Sequence, residues 1–209
     1  MKADAGHEAG TSLVEVVVAA SILLVVLVAV GSTAETASRT MRTNDERAAT
    51  TERMLRFLQR VAPMTRAGVL STYRVEATVA DLSADRASAP GEWIEPIDGE
   101  PRAAIRFQAA DGNLALRAGS LTAPIVLRYV RDPAEATGAP GIDDDGNGLI
   151  DDGRIVLVHQ GVETTVATGV EECSFTLEGA SLVVTLRAAR RRSTDPPLQF
   201  EQVHVLRNN

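Results

Sequence analysis

Cysteine is almost absent from this chain of 209 residues, because Cys173 is the only one. A single cysteine excludes an intramolecular disulfide and any metal cluster built from several thiolates. It does not exclude an oxidising compartment. We expect Cys173 to be a small, buried apolar residue.

Aromatic residues and excess positive charge are also scarce. Phe, Trp and Tyr make up 3% of the chain, so aliphatic side chains must fill the core of a protein that is 44% hydrophobic. The formal net charge is -7, and the basic residues are scattered except at residues 190–192. Such a chain offers no broad surface for polyanions, and we expect no nucleic-acid partner.

Motifs of catalysis are missing as well. The sequence contains no G-x-S-x-G, no H-E-x-x-H, no phosphate-binding glycine loop and no C-x-x-C. His159 and His204 fall on predicted strands, with no nucleophile or acid beside them in sequence. We therefore predict that the protein is not an enzyme.

One long apolar run dominates the sequence, from Leu13 to Val30, and its only charged residue is Glu15. About 20 mostly apolar residues are needed to span a bilayer, with a lower limit near 17, so the run is just sufficient. A secretory signal peptide would need a basic leader, whereas the one lysine here is offset by an aspartate and a glutamate. A plain signal anchor would carry a costly carboxylate without a partner.

A third interpretation uses the residues that the other two leave unexplained. Gly10 and Thr11 stand directly before the apolar run, and Glu15 lies four residues beyond Thr11. This arrangement resembles the N-terminal motif of type IV prepilins and of type II secretion pseudopilins. The resemblance implies that a prepilin peptidase cuts after Gly10 and methylates the new amino terminus at Thr11, where the family usually has phenylalanine.

The same resemblance implies a role and a location. Glu15 would pair with the terminal ammonium of a neighbouring subunit during assembly. The chain would be a noncatalytic minor pilin or pseudopilin in a type II secretion pseudopilus or a type IV pilus, at or near its tip. Its partners would be other pilin-like subunits, the prepilin peptidase and the bacterial inner membrane, which it would cross once with its head in the periplasm or outside the cell. The alternative is a membrane-anchored extracytoplasmic binding module or enzyme with a calcium-stabilised β domain.

Beyond the apolar run, helical spacing continues and predicts a single helix over residues 11–62, ended by Pro63. The expected packing face is a narrow stripe: Ala34, Ala37, Met41, Ala48, Leu55, Leu58 and Ala62. Residues 1–10 would then be the leader and residues 63–209 a β-rich head. Between residues 82 and 101 the sequence is rich in Ala, Ser, Pro and Gly and predicts a loop, with Trp93 pinning it to the sheet.

Short apolar or alternating runs follow, broken by turn residues, and predict an antiparallel sheet. The expected strands are Tyr73–Val79, Ala104–Gln108, Leu114–Arg117, Ile125–Arg131, Ile155–Gln160, Glu163–Ala167, Cys173–Leu177, Leu182–Arg187 and Gln202–Leu206. One long helix followed by strands is an α+β fold. The strand series and the closing LRN also resemble the head of J-type minor pseudopilins and of W-type minor pilins.

An acidic, glycine-rich segment from Asp143 to Asp152 is the one cluster that suggests metal chemistry. It has the first half of an EF-hand loop, with alternating oxygen ligands and Gly148 at the sharp turn, but Arg154 stands where a bidentate glutamate belongs. We predict a calcium site whose ligands are Asp143, Asp145, Asn147, the Leu149 carbonyl, and Asp151 or Asp152. The alternative is an acidic hairpin tip without an ion.

Overall fold

The computed structural model describes residues 13–109, 121–139, 141–191 and 196–206. Helix α1 spans Leu13–Arg66, and the described residues after it form an antiparallel sheet of nine strands. The predicted α+β fold, a long N-terminal helix packed on an antiparallel sheet, is thereby confirmed. The chain divides into two compact units, Met1–Ala49 and Thr50–Asn209, so the last turns of α1 belong to the same unit as the sheet.

The sheet is a meander over most of its width. Its strands are β1 (Arg74–Glu76), β2 (Trp93–Ile94), β3 (Pro101–Arg102), β4 (Ala104–Phe107), β5 (Ile125–Arg131), β6 (Gly153–His159), β7 (Val162–Glu178), β8 (Ser181–Ala188) and β9 (Leu198–Val205). They pair in the order β2-β1-β4-β5-β6-β7-β8-β9, with β3 on β7. Two short helices, α2 (Val79–Ser83) and α3 (Pro133–Thr137), lie in the connections.

The predicted strands agree with the observed strands to different degrees. Strand β5 has the predicted bounds, and a turn at Gly179 joins β7 to β8. The two short strands predicted over Glu163–Ala167 and Cys173–Leu177 are one continuous strand, β7. The predicted strand Leu114–Arg117 lies outside the described residues. Cys173 is buried on β7, as predicted.

The packing face of α1 differs from the predicted stripe. All residues from Leu13 to Ala49 are exposed, including Met41, which is 66% accessible. Leu55 is also exposed, at 46%. The buried residues repeat every three or four positions: Met54, Phe57, Leu58, Val61, Ala62 and Thr65. The prediction followed alanines along the helix, whereas the larger side chains decide which face covers the sheet, since they remove more apolar area from water.

Helix α1 also continues past Pro63 to Arg66 instead of ending before it. A proline removes the N–H that would bond to the carbonyl four residues earlier. That carbonyl belongs to Gln59, an exposed residue whose backbone water can reach. The Thr65 hydroxyl donates to the carbonyls of Val61 and Ala62, at 3.2 Å each, which helps to complete the last turn.

Tyr73 ties the end of α1 to the sheet. Its ring stacks on Phe107 with centroids 4.9 Å apart, and its hydroxyl donates to the Thr65 carbonyl at 3.0 Å. Gly68 makes room for this contact, because a Cβ there would lie 2.3 Å from the Tyr73 hydroxyl oxygen. The helix end and the first strand are therefore packed without space for an added methyl group.

Residues 82–101, predicted as a loop, contain strand β2 and lead into strand β3. Trp93 pairs with Glu76 of β1, as its predicted pinning role requires. A buried ion pair holds the region: the Arg102 guanidinium donates to both carboxylate oxygens of Asp81, at 2.6 and 2.9 Å. The Arg102 hydrogen bonds hold the pKa of Asp81 well below its usual range.

His204 on β9 is fully buried, and neither ring nitrogen has a hydrogen-bond partner among the described residues. Burial lowers the pKa of His204 from its ordinary value of 6.5, and the charge of Arg66 lowers it further. The folded protein therefore holds a neutral imidazole at a pH where the unfolded chain binds a proton. The contribution of this group to stability is lost as the pH falls below about 6.5.

Replacing His204 with leucine should reduce this acid sensitivity. His204→Leu removes the titrating group and two unpaired polar atoms, so the free energy of unfolding should fall less between pH 7 and pH 5 than in the wild type. Denaturant unfolding of the full chain in detergent, followed by Trp93 fluorescence, measures this. His159→Leu, at a partly exposed histidine of β6, is the matched control. If the free energy of unfolding falls equally with pH in the wild type and in His204→Leu, His204 is not the source of the acid sensitivity.

Candidate functional site

The acidic segment lies in the connection between β5 and β6, and α3 opens this connection. Asp132 caps α3 by accepting a hydrogen bond from the Ala134 N–H at 3.0 Å, and Pro133 occupies the first turn. Glu135 lies in this short helix with its side chain buried, and it is only 1% exposed. The loop then returns beside α3 before β6 begins at Gly153.

Glu135 is the centre of the loop. One of its carboxylate oxygens accepts the backbone N–H groups of Asp144 and Asp145, at 2.9 and 3.3 Å. The other accepts the N–H of Asp151 at 3.2 Å. A single buried carboxylate thus holds both ends of the acidic segment.

Three carboxylates converge beside this centre. Glu135, Asp145 and Asp152 each offer an oxygen, and these oxygens lie within 4.8 Å of one another. Glu135 and Asp152 are buried, whereas Asp145 is exposed. The Asn147 side-chain amide donates to Asp145 at 2.8 Å and to Asp152 at 3.0 Å. The cluster could hold a metal ion, since convergent carboxylates are ligands that hard cations prefer.

The electrostatics of Asp152 favour a nearby positive charge. Burial raises the pKa of Asp152, and the negative charges of Asp145, Glu135 and Asp132 raise it further, while the hydrogen bond from Asn147 opposes them. Carboxylates this close repel one another when all are ionised. A cation bound among them would offset that repulsion.

The structure brings together only part of the predicted ligand set. Asp145, Asn147 and Asp152 meet at the cluster. Asp143 instead accepts the N–H groups of Gly146 and Gly148, at 2.8 and 2.9 Å. Both glycines have positive φ values, as the two sharp turns of the loop require.

Asp151 and Leu149 also make local contacts. Asp151 accepts from Arg131 at 2.8 Å and from the Gly141 N–H at 2.7 Å. The Leu149 N–H donates to the side-chain oxygen of Asn147 at 2.8 Å, so Asn147 would have to turn its carboxamide to offer that oxygen to an ion. Coordination by the Leu149 carbonyl stays a prediction.

Glu135 was not among the predicted ligands, because it lies eight residues before Asp143 and outside the EF-hand spacing. A signal was present. An aspartate followed by proline predicts a helix start, and a carboxylate three residues after that cap lies in its first turn, next to the loop that must return to the sheet.

The N-terminal residues form the other predicted site. Gly10 and Thr11 lie outside the described residues. Glu15 lies in the first turn of α1 and is exposed, as are the apolar side chains around it. By length and composition, α1 is the one helix within the described residues that is able to cross a membrane.

Comparison with known proteins adds no relative. No protein-family model matches the chain, and no curated protein or solved structure is significantly similar to it.

Proposed function

We propose that the chain is a noncatalytic minor pilin or pseudopilin. Its N-terminal helix holds it in the bacterial inner membrane and then packs against the helices of other pilin-like subunits in a type IV pilus or a type II secretion pseudopilus. The head lies in the periplasm or outside the cell, at or near the tip of the fibre.

The exposed apolar surface of α1 is the observation that carries this proposal. Every large apolar side chain from Leu13 to Val30 is at least half exposed. Burying one such side chain contributes roughly 1.5–3 kcal/mol, so a surface of this size in water would drive association. Lipid can cover it before assembly, and neighbouring helices can cover it afterwards.

Glu15 is the one charged side chain within this apolar surface. It is the only charged residue between Leu13 and Ala34, and a lone carboxylate in a bilayer is costly unless it finds a partner. Cleavage after Gly10 would place a terminal ammonium at Thr11, and the ammonium of a neighbouring subunit would neutralise Glu15. Membrane anchoring alone gives no reason for a carboxylate at this position.

A membrane-anchored extracytoplasmic binding module or enzyme is the rival function. It shares the anchor and the β-rich head, but it requires neither a cut after Gly10 nor a partner for Glu15. The amino terminus of the mature chain therefore separates the two.

Calcium is the metal that we propose for the acidic cluster. Glu135, Asp145 and Asp152 would supply carboxylate oxygens, and Asn147 a carboxamide oxygen after rotation. Calcium accepts irregular shells of six to eight oxygens, whereas magnesium demands a near-ideal octahedron. The ion would tie α3 to the start of β6 and stabilise one end of the head, with no catalytic part.

Processing gives the first test of the proposed function. In cells that have a prepilin peptidase, the mature chain should begin at Thr11, and in cells without the peptidase it should keep residues 1–10. Mass spectrometry of the purified protein identifies the terminus. An uncut chain in peptidase-positive cells that process other prepilins, or a cut beyond the apolar run, would rule out the pilin assignment.

Calcium should raise the melting temperature of the full chain in detergent. At 1 mM calcium and a dissociation constant of about 0.1 mM, typical of extracellular sites, the stabilisation is about 1.4 kcal/mol and the shift roughly 3–6 °C. Asp145→Asn with Asp152→Asn should abolish the shift, whereas Asp45→Asn, on the exposed part of α1, should keep it. Magnesium should raise the melting temperature less than calcium does.

Calorimetry decides whether that shift reflects binding at the cluster. No heat of binding at millimolar calcium, together with an unchanged melting temperature, would leave the segment as an acidic turn. A shift that persists in the Asp145→Asn, Asp152→Asn variant would place the ion elsewhere.

A further inference from the structure

Two arginines face each other across neighbouring strands on the side of the sheet away from the hydrophobic core. Arg74 of β1 and Arg106 of β4 are paired residues in the antiparallel register. Their strand neighbours Tyr73, Ile105 and Phe107 point the other way, into the core. Side chains of directly paired residues start about 5 Å apart, and like charges in that position are destabilising.

Among the described residues, only one ion pair involves either of the two guanidinium groups. Within the described part of the chain, Arg106 makes no ion pair and lies over the ring of Trp93, with its guanidinium carbon 6.0 Å from the ring centroid. Arg74 has one carboxylate near it, that of Glu95 at 3.7 Å, and Glu95 is 85% exposed. An exposed pair at that distance contributes little.

An open groove of about 460 Å³ lies over this pair. Arg74, Trp93, Arg106 and Gln108 line it. The volume is within the range of small-ligand sites.

The polar side chains of the groove are held in place by the backbone. Arg74 donates to the carbonyls of Ser71 and Tyr73, at 3.0 and 2.7 Å. The Gln108 side chain donates to the Thr122 carbonyl at 3.1 Å. Donors that are fixed before binding lose less conformational entropy when a ligand arrives.

We propose that this groove binds a carboxylate-bearing ligand between Arg74 and Arg106. A carboxylate matches the forked N–H geometry of guanidinium groups and would offset their mutual repulsion. Glu95 already brings a carboxylate of this chain to Arg74, and the ligand displaces it. The site does not depend on the pilus assignment, since it uses only the head.

The only tryptophan of the chain is Trp93, so its fluorescence reports directly on the groove. Succinate is the probe, added to the full chain in detergent at constant ionic strength set with sodium chloride. We expect a saturable change in Trp93 emission. Calorimetry gives the affinity independently, because substitutions at Arg106 alter the emission of Trp93 by themselves.

Three substitutions test the assignment. Arg106→Gln and Arg74→Gln should each weaken succinate binding at least about tenfold, the lower end of the loss for a hydrogen bond to a charged group. Glu95→Gln should strengthen it, because the internal competitor is gone. Arg60→Gln, the same charge change at an exposed position of α1, should leave the affinity unchanged.

Other outcomes would overturn the proposal. These are the absence of saturable binding, wild-type affinity in both Arg106→Gln and Arg74→Gln, or an equal loss in Arg60→Gln. Tighter binding of inorganic phosphate than of succinate would assign the groove to tetrahedral oxyanions instead. Circular dichroism of each variant establishes that it is folded.

Discussion

The exposed apolar surface at the start of α1 is the constraint on which the rest of this account depends. A helix from Leu13 to Arg66 contains both a segment that water cannot cover favourably and a segment whose buried side chains belong to the core of the head. Packing of Met54, Phe57 and Val61 on the sheet anchors the second segment. The first segment is long and apolar enough to cross a membrane.

Inside the head, short elements depend on charge as much as on apolar contact. The Asp81–Arg102 pair fastens α2 to β3, and Glu135 fastens the acidic loop to α3 through three backbone N–H groups. Buried carboxylates of this kind are tolerated because arginine or backbone donors surround them. Asp152 has weaker compensation, which is why the cluster that contains it is the place where a cation would stabilise the head most.

Apolar patterning predicted part of the fold. Strand β5 and the long helix follow from apolar patterning, since their own residues determine how much surface they bury. The buried face of α1 was only partly predictable. Leu58 and Ala62 belong to the predicted stripe and are buried, whereas Leu55 is equally apolar and is exposed, because the position of the sheet decides which residues are covered. Strands β2 and β3 were missed for a similar reason: two residues become a strand only when a partner strand lies beside them.

The candidate sites also contain some residues that local spacing predicts and others that only tertiary contacts bring together. Asp145, Asn147 and Asp152 were predictable from spacing, whereas Glu135 enters the cluster through the turn of α3, and Arg74 meets Arg106 through strand pairing across 32 positions of sequence. Contacts between distant segments depend on register, which local patterns do not specify.

The distribution of a Glu15→Ala variant between membrane and fibre tests whether Glu15 pairs with a neighbouring subunit during assembly. Removing this charge favours membrane insertion but takes away the partner of the neighbouring amino terminus. The account predicts that the variant is processed and found in the inner membrane at the wild-type level, yet is lost from fibres sheared off the cells. Glu35→Ala, further along the exposed part of α1, should enter the fibres normally. Wild-type incorporation of Glu15→Ala would contradict the account.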